Sequence, residues 1–265
     1  MMEGGIDWTI VGPALGAGLL ILSTHVPLGQ EVLKRGIIFI DLAIAQVAGL
    51  GVIAAHSMNW DPNGMQVQIA AVVAALVAAL GLNWTERRWP QIQEPLIGIL
   101  FILAATGGIL LLAGNPHGGE HLKELLVGQI LWSTWPSLLP VAILYAILLA
   151  GWFTMRSRLG ALGFYMTFAI VVTASVQIVG IYLVFASLII PALCTSRLRG
   201  GKRVIAGYGV GALSYFIGIV LSAWFDLPTG AIIVWAMAAT AVACGLTLSK
   251  TVAVPAGVAA EAVSD

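Results

Sequence analysis

The sequence predicts an all-α polytopic membrane protein with about eight transmembrane helices and one further short or broken helix. Three observations carry this prediction. Only 9% of the 265 residues are charged while 60% are hydrophobic. Soluble proteins average about 25% charged residues, so a surface this poor in charge needs lipid around it. The apolar runs are continuous rather than alternating, which favours helices over a membrane barrel. Lipid also offers the backbone no hydrogen bonds, so each crossing must satisfy its own N–H and C=O groups.

Stretches near the ~20 residues that span a bilayer lie at about 8–26, 36–56, 66–82, 95–113, 136–154, 162–178, 203–225 and 229–248. A shorter stretch, IVGIYLVFASLIIPALC at 178–194, is crowded against the sixth. It ends near Pro191, a residue that breaks or kinks helices, and reads as the short or broken helix. Lys34 and Arg35, Arg87 and Arg88, Arg156 and Arg158, the cluster Arg197, Arg199, Lys202 and Arg203, and Lys250 mark the cytoplasmic side. DPNG (61–64), NPHGGEHLKE (115–124) and FDLPTG (225–230) mark the other. This alternation predicts an N-terminus outside and a C-terminus inside, with 178–194 supplying a return crossing. The start, MMEGGIDWT, has Glu3 and Asp7 where a signal peptide would place cations, so the first helix is expected to be retained. One integral membrane domain is expected over 1–250, followed by a disordered cytoplasmic tail at 251–265.

Zero net charge and the lack of a long basic tract give no footing for nucleic acid. The sequence holds no phosphate-binding GxxxxGK[ST], no HExxH and no GxSG setting with a facing histidine at depth. It is not expected to be an enzyme or to hold a cofactor, and any ATP hydrolysis belongs to another chain. Cys194 and Cys244 lie in apolar runs and read as buried core residues. The 31 glycines let helices approach closely.

The polar residues inside apolar runs are the candidate functional groups. In LKRGIIFIDLAIAQVAGLGVIAAH (33–56), Asp41 follows Arg35 by six residues, about 9 Å along a helix. It either pairs with Arg35 near the cytoplasmic interface or stands on a substrate path. Gln46 either joins two helices by a hydrogen bond or lines that path. In the connection 115–124, His117, Glu120, His121 and Glu124 could hold a metal, since histidines at i and i+4 can share one ion on a helix. The Gly118–Gly119 pair favours a solvated loop instead. His25 and His56 read as structural histidines at helix ends.

Five stretches in order resemble the permease subunit of the zinc/manganese/iron class of ATP-binding-cassette importers. They are PLGQEVLKRGIIFIDLAIAQVAGLGV (27–52), EPLIGIL (94–100), ELLVGQILWST (124–134), VGIYLVFASLIIPALCTSR (179–197) and SAWFDLPTGAIIV (222–234). The resemblance implies a homodimeric pore in the inner membrane, two cytoplasmic ATP-binding subunits, and an extracytoplasmic metal-binding protein that delivers zinc or manganese as cargo. Related vitamin B12 and siderophore permeases use a short helix, a proline and a cytoplasmic loop at the equivalent of 180–203. Arg197, Arg199, Lys202 and Arg203 would then couple to the ATP-binding subunits, while Pro191 and Asp226 belong to moving parts. Metal-path residues would be Asp41 and Gln46, with His117, Glu120 and His121 in the outer connection.

Two departures stand out. The family's intramembrane Asp and His fall on Leu42 and Gln46, and Asp41, one residue early, is rotated by about 100° from the face those positions share. The segment between Arg158 and Met166 is also shorter than the family's cytoplasmic connection. A metal chelate or small organic cofactor is therefore a rival cargo, and a non-transport scaffold or intramembrane enzyme is a rival of another class.

Overall fold

A computed structural model describes residues 7–58, 60–61, 64–113, 115 and 118–251, without the side chains of 121, 155–159 and 245–251. The predicted tail at 252–265 and His117 lie outside the described residues. Eight helices follow one another: α1 (Trp8–Arg35), α2 (Ile40–Ser57), α3 (Met65–Arg88), α4 (Gln93–Leu112), α5 (Gly118–Val127), α6 (Trp135–Cys194), α7 (Gly201–Phe225) and α8 (Thr229–Thr251). No strand occurs among the described residues. Seven stretches are long and apolar enough to cross a membrane, and Thr229–Cys244 adds a shorter apolar one. These eight match the predicted spans.

The first helix shows why the sequence folds this way locally. Asp7 caps it by accepting from the Thr9 N–H at 2.9 Å, and Gly36, with φ 71°, closes it in a left-handed turn. Lys34 and Arg35 occupy its last turn, where cations complement the negative end of the helix dipole. The helix is longer than its apolar run. His25, expected at a helix end, is therefore buried in mid-helix, with Nδ1 3.2 Å from the Thr24 hydroxyl.

Helix α6 is the hub, packing on α1, α2, α3, α5, α7 and α8. It consists of three rods, 135–159, 161–179 and 181–194, because Gly160 (φ 55°, ψ −149°) and Gly180 (φ 76°, ψ 167°) leave helical geometry. Such backbone is essentially restricted to glycine. The break expected near Pro191 thus sits at Gly180, and the short helix is 181–194. Pro191 stays inside it, as prolines are tolerated within membrane helices. Thr195 Oγ1 donates to the Pro191 carbonyl at 2.7 Å. Of the window taken from Gly160–Cys194, 67% is buried, against 17% for Pro90–Leu112, so the second and third rods are central and α4 is peripheral.

Around those rods, Phe164, Phe168, Val172 and Leu183 pack with Ile21, Leu22 and Tyr215. Two pairs of buried hydroxyls meet: Tyr145 with Ser175 at 2.5 Å, and Ser187 with Tyr215 at 2.8 Å. At one end of the bundle Arg35 bridges Glu31 (3.3 Å) and Glu86 (3.5 Å) and lies 4.5 Å over the Phe164 ring. Beside it, Gln93 donates to the Leu82 carbonyl and the Tyr165 hydroxyl while accepting from Thr85. This network ties α1, α3, α4 and the second rod of α6 together. Cys194 and Cys244, expected to be buried, are half-buried neighbours of each other.

The connection read as a solvated loop is helix α5 from Gly118 onward, because its LKELLV portion has an apolar face to place on α6. Its end is locked to the break in α6. Gly128 (φ 71°) and Gly180 meet backbone to backbone, and a Cβ on either would collide with the other's main chain. Gly180→Ala therefore carries both a forbidden conformation and a backbone collision, and is expected to lower stability by more than the roughly 1–3 kcal/mol of strain alone. Gly160→Ala meets no neighbouring atom and carries only the strain. Thermal unfolding in detergent should rank the two accordingly.

Candidate transport path

Two concavities open on one flank of the bundle and share a wall. The larger, about 710 Å³, is lined by Gln68 and Val72 of α3, by Gln129 and Ser133, by Ser137 and Leu144 of the first rod of α6, and by Thr173 and Gln177 of the second. The smaller, about 280 Å³, is lined by Ile53 and His56 of α2, Gln68, Glu124 and Leu125 of α5, Gln129 and Gln177. Gln68, Gln129 and Gln177 border both. In a chain with so few polar residues, three amides on a common wall define a polar surface. Gln177 is exposed although it lies within the membrane-length stretch Gly160–Cys194. Lipid cannot hydrogen-bond an amide, so a side chain of this kind belongs in a water-filled cavity or against other protein. The Thr173 hydroxyl is buried against the larger cavity with no hydrogen-bond partner among the described residues.

Helix α2 carries this surface inward. Gly49 faces Leu125 of α5, Ile53 and His56 line the smaller cavity, and Gln46 is two turns before Ile53 on the same stripe. Gln46 is half-buried, whereas Asp41 is 1% exposed, with the Asp41 and Leu42 N–H groups beside its carboxyl and no side-chain partner among the described residues. Asp41 is in the first turn of α2, where the positive end of the helix favours a carboxylate. It does not pair with Arg35, which is held by Glu31 and Glu86. Its neighbour in charge is Glu94, whose Oε1 accepts from the Phe39 N–H at 3.2 Å. Two carboxyl groups with spare oxygens can hold a proton or a cation at this end of the bundle.

The other predicted residues fall at the two ends. Glu120 is exposed on α5, and His121 is on the same helix. Arg197, Arg199 and Lys202 are exposed around the turn into α7, and Arg203 is half-buried with its Nε unpartnered among the described residues. Asp226 caps α7 in a left-handed turn (φ 52°) and is exposed, so it shapes the α7–α8 connection rather than lining the interior. No group of three or more His, Cys, Asp or Glu among the described residues could hold a metal ion. Sequence reasoning singled out Gln46 but missed Gln68, Gln129, Gln177 and Thr173. The available signal was the same for Gln177 as for Gln46: a lone amide in an apolar helix.

A helical bundle of membrane-length segments with a polar flank is the architecture of a multi-pass membrane protein. The sequence profile of the ABC 3 transport family matches residues 7–171 and 154–247, and the chain belongs to that family. Among its relatives is the manganese transport system membrane protein MntC of Halalkalibacterium halodurans, 28% identical over 86% of this chain and 84% of the relative. Another is the high-affinity zinc uptake system membrane protein ZnuB of Haemophilus influenzae, 24% identical over 83% of this chain and 91% of the relative. The solved structure of PsaBC from Streptococcus pneumoniae in complex with Fab has the same fold, with a TM-score of 0.69 at 19% identity and coverage of 89% of each chain.

Thr173→Val tests whether the larger cavity is wet. With cavity water as its partner, the hydroxyl contributes little net stability, and the variant is expected to stay within about 1 kcal/mol of wild type. A destabilisation above about 2 kcal/mol would instead reveal a protein partner for it.

Proposed function

We propose that this chain is the membrane subunit of an ATP-driven importer of divalent metal ions, zinc or manganese, working by alternating access in the inner membrane. The observation that carries the proposal is the amide wall of half-buried Gln68 and exposed Gln129 and Gln177 on an otherwise apolar bundle. A second copy closing over this flank would convert it into an enclosed polar route, so the working unit is a homodimer. The family membership and the manganese and zinc transport relatives support the choice of cargo.

Orientation follows from charge. Arg35, Arg87 and Arg88, and the 197–203 cluster lie at one end of the helices, and that end is cytoplasmic. The N-terminus is then outside and the C-terminus inside. The exposed Arg197, Arg199 and Lys202, followed by Gly200 (φ 58°) and the start of α7, form the seat for a cytoplasmic ATP-binding subunit. An extracytoplasmic metal-binding protein docks at the opposite end, where α5 and the two cavities open. ATP binding biases one arrangement of the bundle over the other, since a ligand shifts an equilibrium only through its differential affinity for the two states.

The paired variant Arg197→Glu with Arg199→Glu should abolish co-purification of an ATP-binding subunit in mild detergent while leaving the bundle folded. Metal starvation gives the functional counterpart. Deletion of the gene should lower cellular zinc or manganese accumulation, measured by elemental analysis. Unchanged accumulation of both would move the cargo to a chelate or small organic molecule.

A further inference from the structure

We infer that the larger cavity takes the metal as a compact, near-neutral complex with a small organic chelator, and that Gln129 and Gln177 recognise the chelator. The inference rests on the importer reading above and specifies the form in which the metal crosses. Among the described residues, none that lines this cavity of about 710 Å³ is titratable. His56 and Glu124 border the smaller cavity and not this one.

Charge decides first. Zinc and manganese sites draw on imidazole, thiolate or carboxylate ligands, whereas an ion stripped of water in this cavity would meet only amides and hydroxyls. Enclosing a dication without an opposite charge is strongly disfavoured. A chelator that supplies the anionic donors brings that opposite charge with it. Shape decides next. A shell of six waters at about 30 Å³ each fills roughly 180 Å³, about a quarter of the cavity. Much of the remaining wall is Val72, Leu138, Val141, Leu144, Ile170 and Ile178. Such a wall offers an aquo ion nothing, but it buries the carbon skeleton of an organic ligand. The volume falls within the roughly 300–1,000 Å³ of small-molecule sites, which combine apolar walls with a few convergent polar groups.

The polar groups are placed for this recognition. Gly128 meets Val179 and Gly180 backbone to backbone, which holds the neighbouring Gln129 beside the end of the second rod of α6, where Gln177 stands. Both glutamines are exposed, so a ligand reaches them, and half-buried Gln68 of α3 borders the same cavity. Each amide offers donors and an acceptor. Its NH₂ donates to a chelator carboxylate, and its oxygen accepts from an amine or imidazole N–H. Neutral groups of this kind read the chelator without competing for the metal.

The test uses the intact complex of this chain with its ATP-binding subunits in detergent, and equilibrium dialysis with radiolabelled zinc and radiolabelled L-histidine, which form a neutral two-to-one complex. Wild-type protein is expected to retain zinc and histidine together and to retain zinc alone far less. Gln129→Leu and Gln177→Leu should each weaken that retention by about threefold to tenfold in complexes that still hydrolyse ATP. Gln177→Asp gives opposite signs: weaker retention of the neutral complex and stronger retention of zinc alone. Zinc retained alone by wild type and stripped off by added histidine would overturn the inference while leaving the importer reading intact. Wild-type retention in both leucine variants would overturn the assignment of the two amides. A complex that hydrolyses ATP yet retains zinc in neither form would overturn the inference and the importer reading together.

Discussion

Everything in this bundle answers to one constraint: the surrounding lipid cannot hydrogen-bond a polar group. Backbone groups meet it by staying helical, and buried hydroxyls meet it in pairs such as Tyr145 with Ser175 and Ser187 with Tyr215. Arg35 meets it at the bundle end through two glutamates and an aromatic face. Against that background the unmet groups become informative. Gln177 is exposed, the Thr173 hydroxyl is buried without a partner among the described residues, and the Asp41 carboxyl is buried with no ion pair among them. Two of them, Thr173 and Gln177, share the second rod of α6, and Asp41 begins α2, which packs on α6.

The backbone divides the longest helix. A continuous helix of 60 residues would be a rigid strut, but Gly160 and Gly180 divide α6 into three rods. Gly180 lies against Gly128, and Gly230, near the start of α8, lies against the Val127 carbonyl. The end of α5, the break in α6 and the start of α8 therefore meet without intervening side chains. Close contacts of this kind transmit displacement, because backbone in contact has no rotamer to absorb it. At the other end, Gly29 of α1 leaves no room for a Cβ beside the Leu188 carbonyl, which fixes the third rod to α1. The third rod leads directly into the turn that carries Arg197 and Arg199.

Much of the fold was legible because membrane thickness and hydropathy leave few choices. Span lengths, helical class and the short element after the sixth span all follow from apolar runs. The place of the break did not, because proline is a weak breaker in lipid whereas the conformation of Gly180 is forced by the approach of Gly128, some fifty residues away. Helix α5 was missed for a related reason: Gly118 and Gly119 argue against a helix locally, but the apolar face of Leu122, Leu125 and Leu126 is placed on α6. Asp41 and Gln46 were visible as polar residues in an apolar run. Their separation in the structure, one buried at the bundle end and the other on the cavity stripe, follows from the rotation between positions 41 and 46. The amide wall was not legible, since Gln68, Gln129 and Gln177 are distant in sequence and meet only after α3, the α5–α6 connection and α6 pack.

The central claim is that the amide wall belongs to a route open to one side of the membrane at a time. The most direct measurement is the labelling of a cysteine at position 177, with Cys194 and Cys244 replaced by serine, by a membrane-impermeant thiol reagent added from outside to the complex in proteoliposomes. The account predicts that labelling changes severalfold between the nucleotide-free and ATP-trapped complexes. A rate that is the same in both, whether fast or absent, would contradict it.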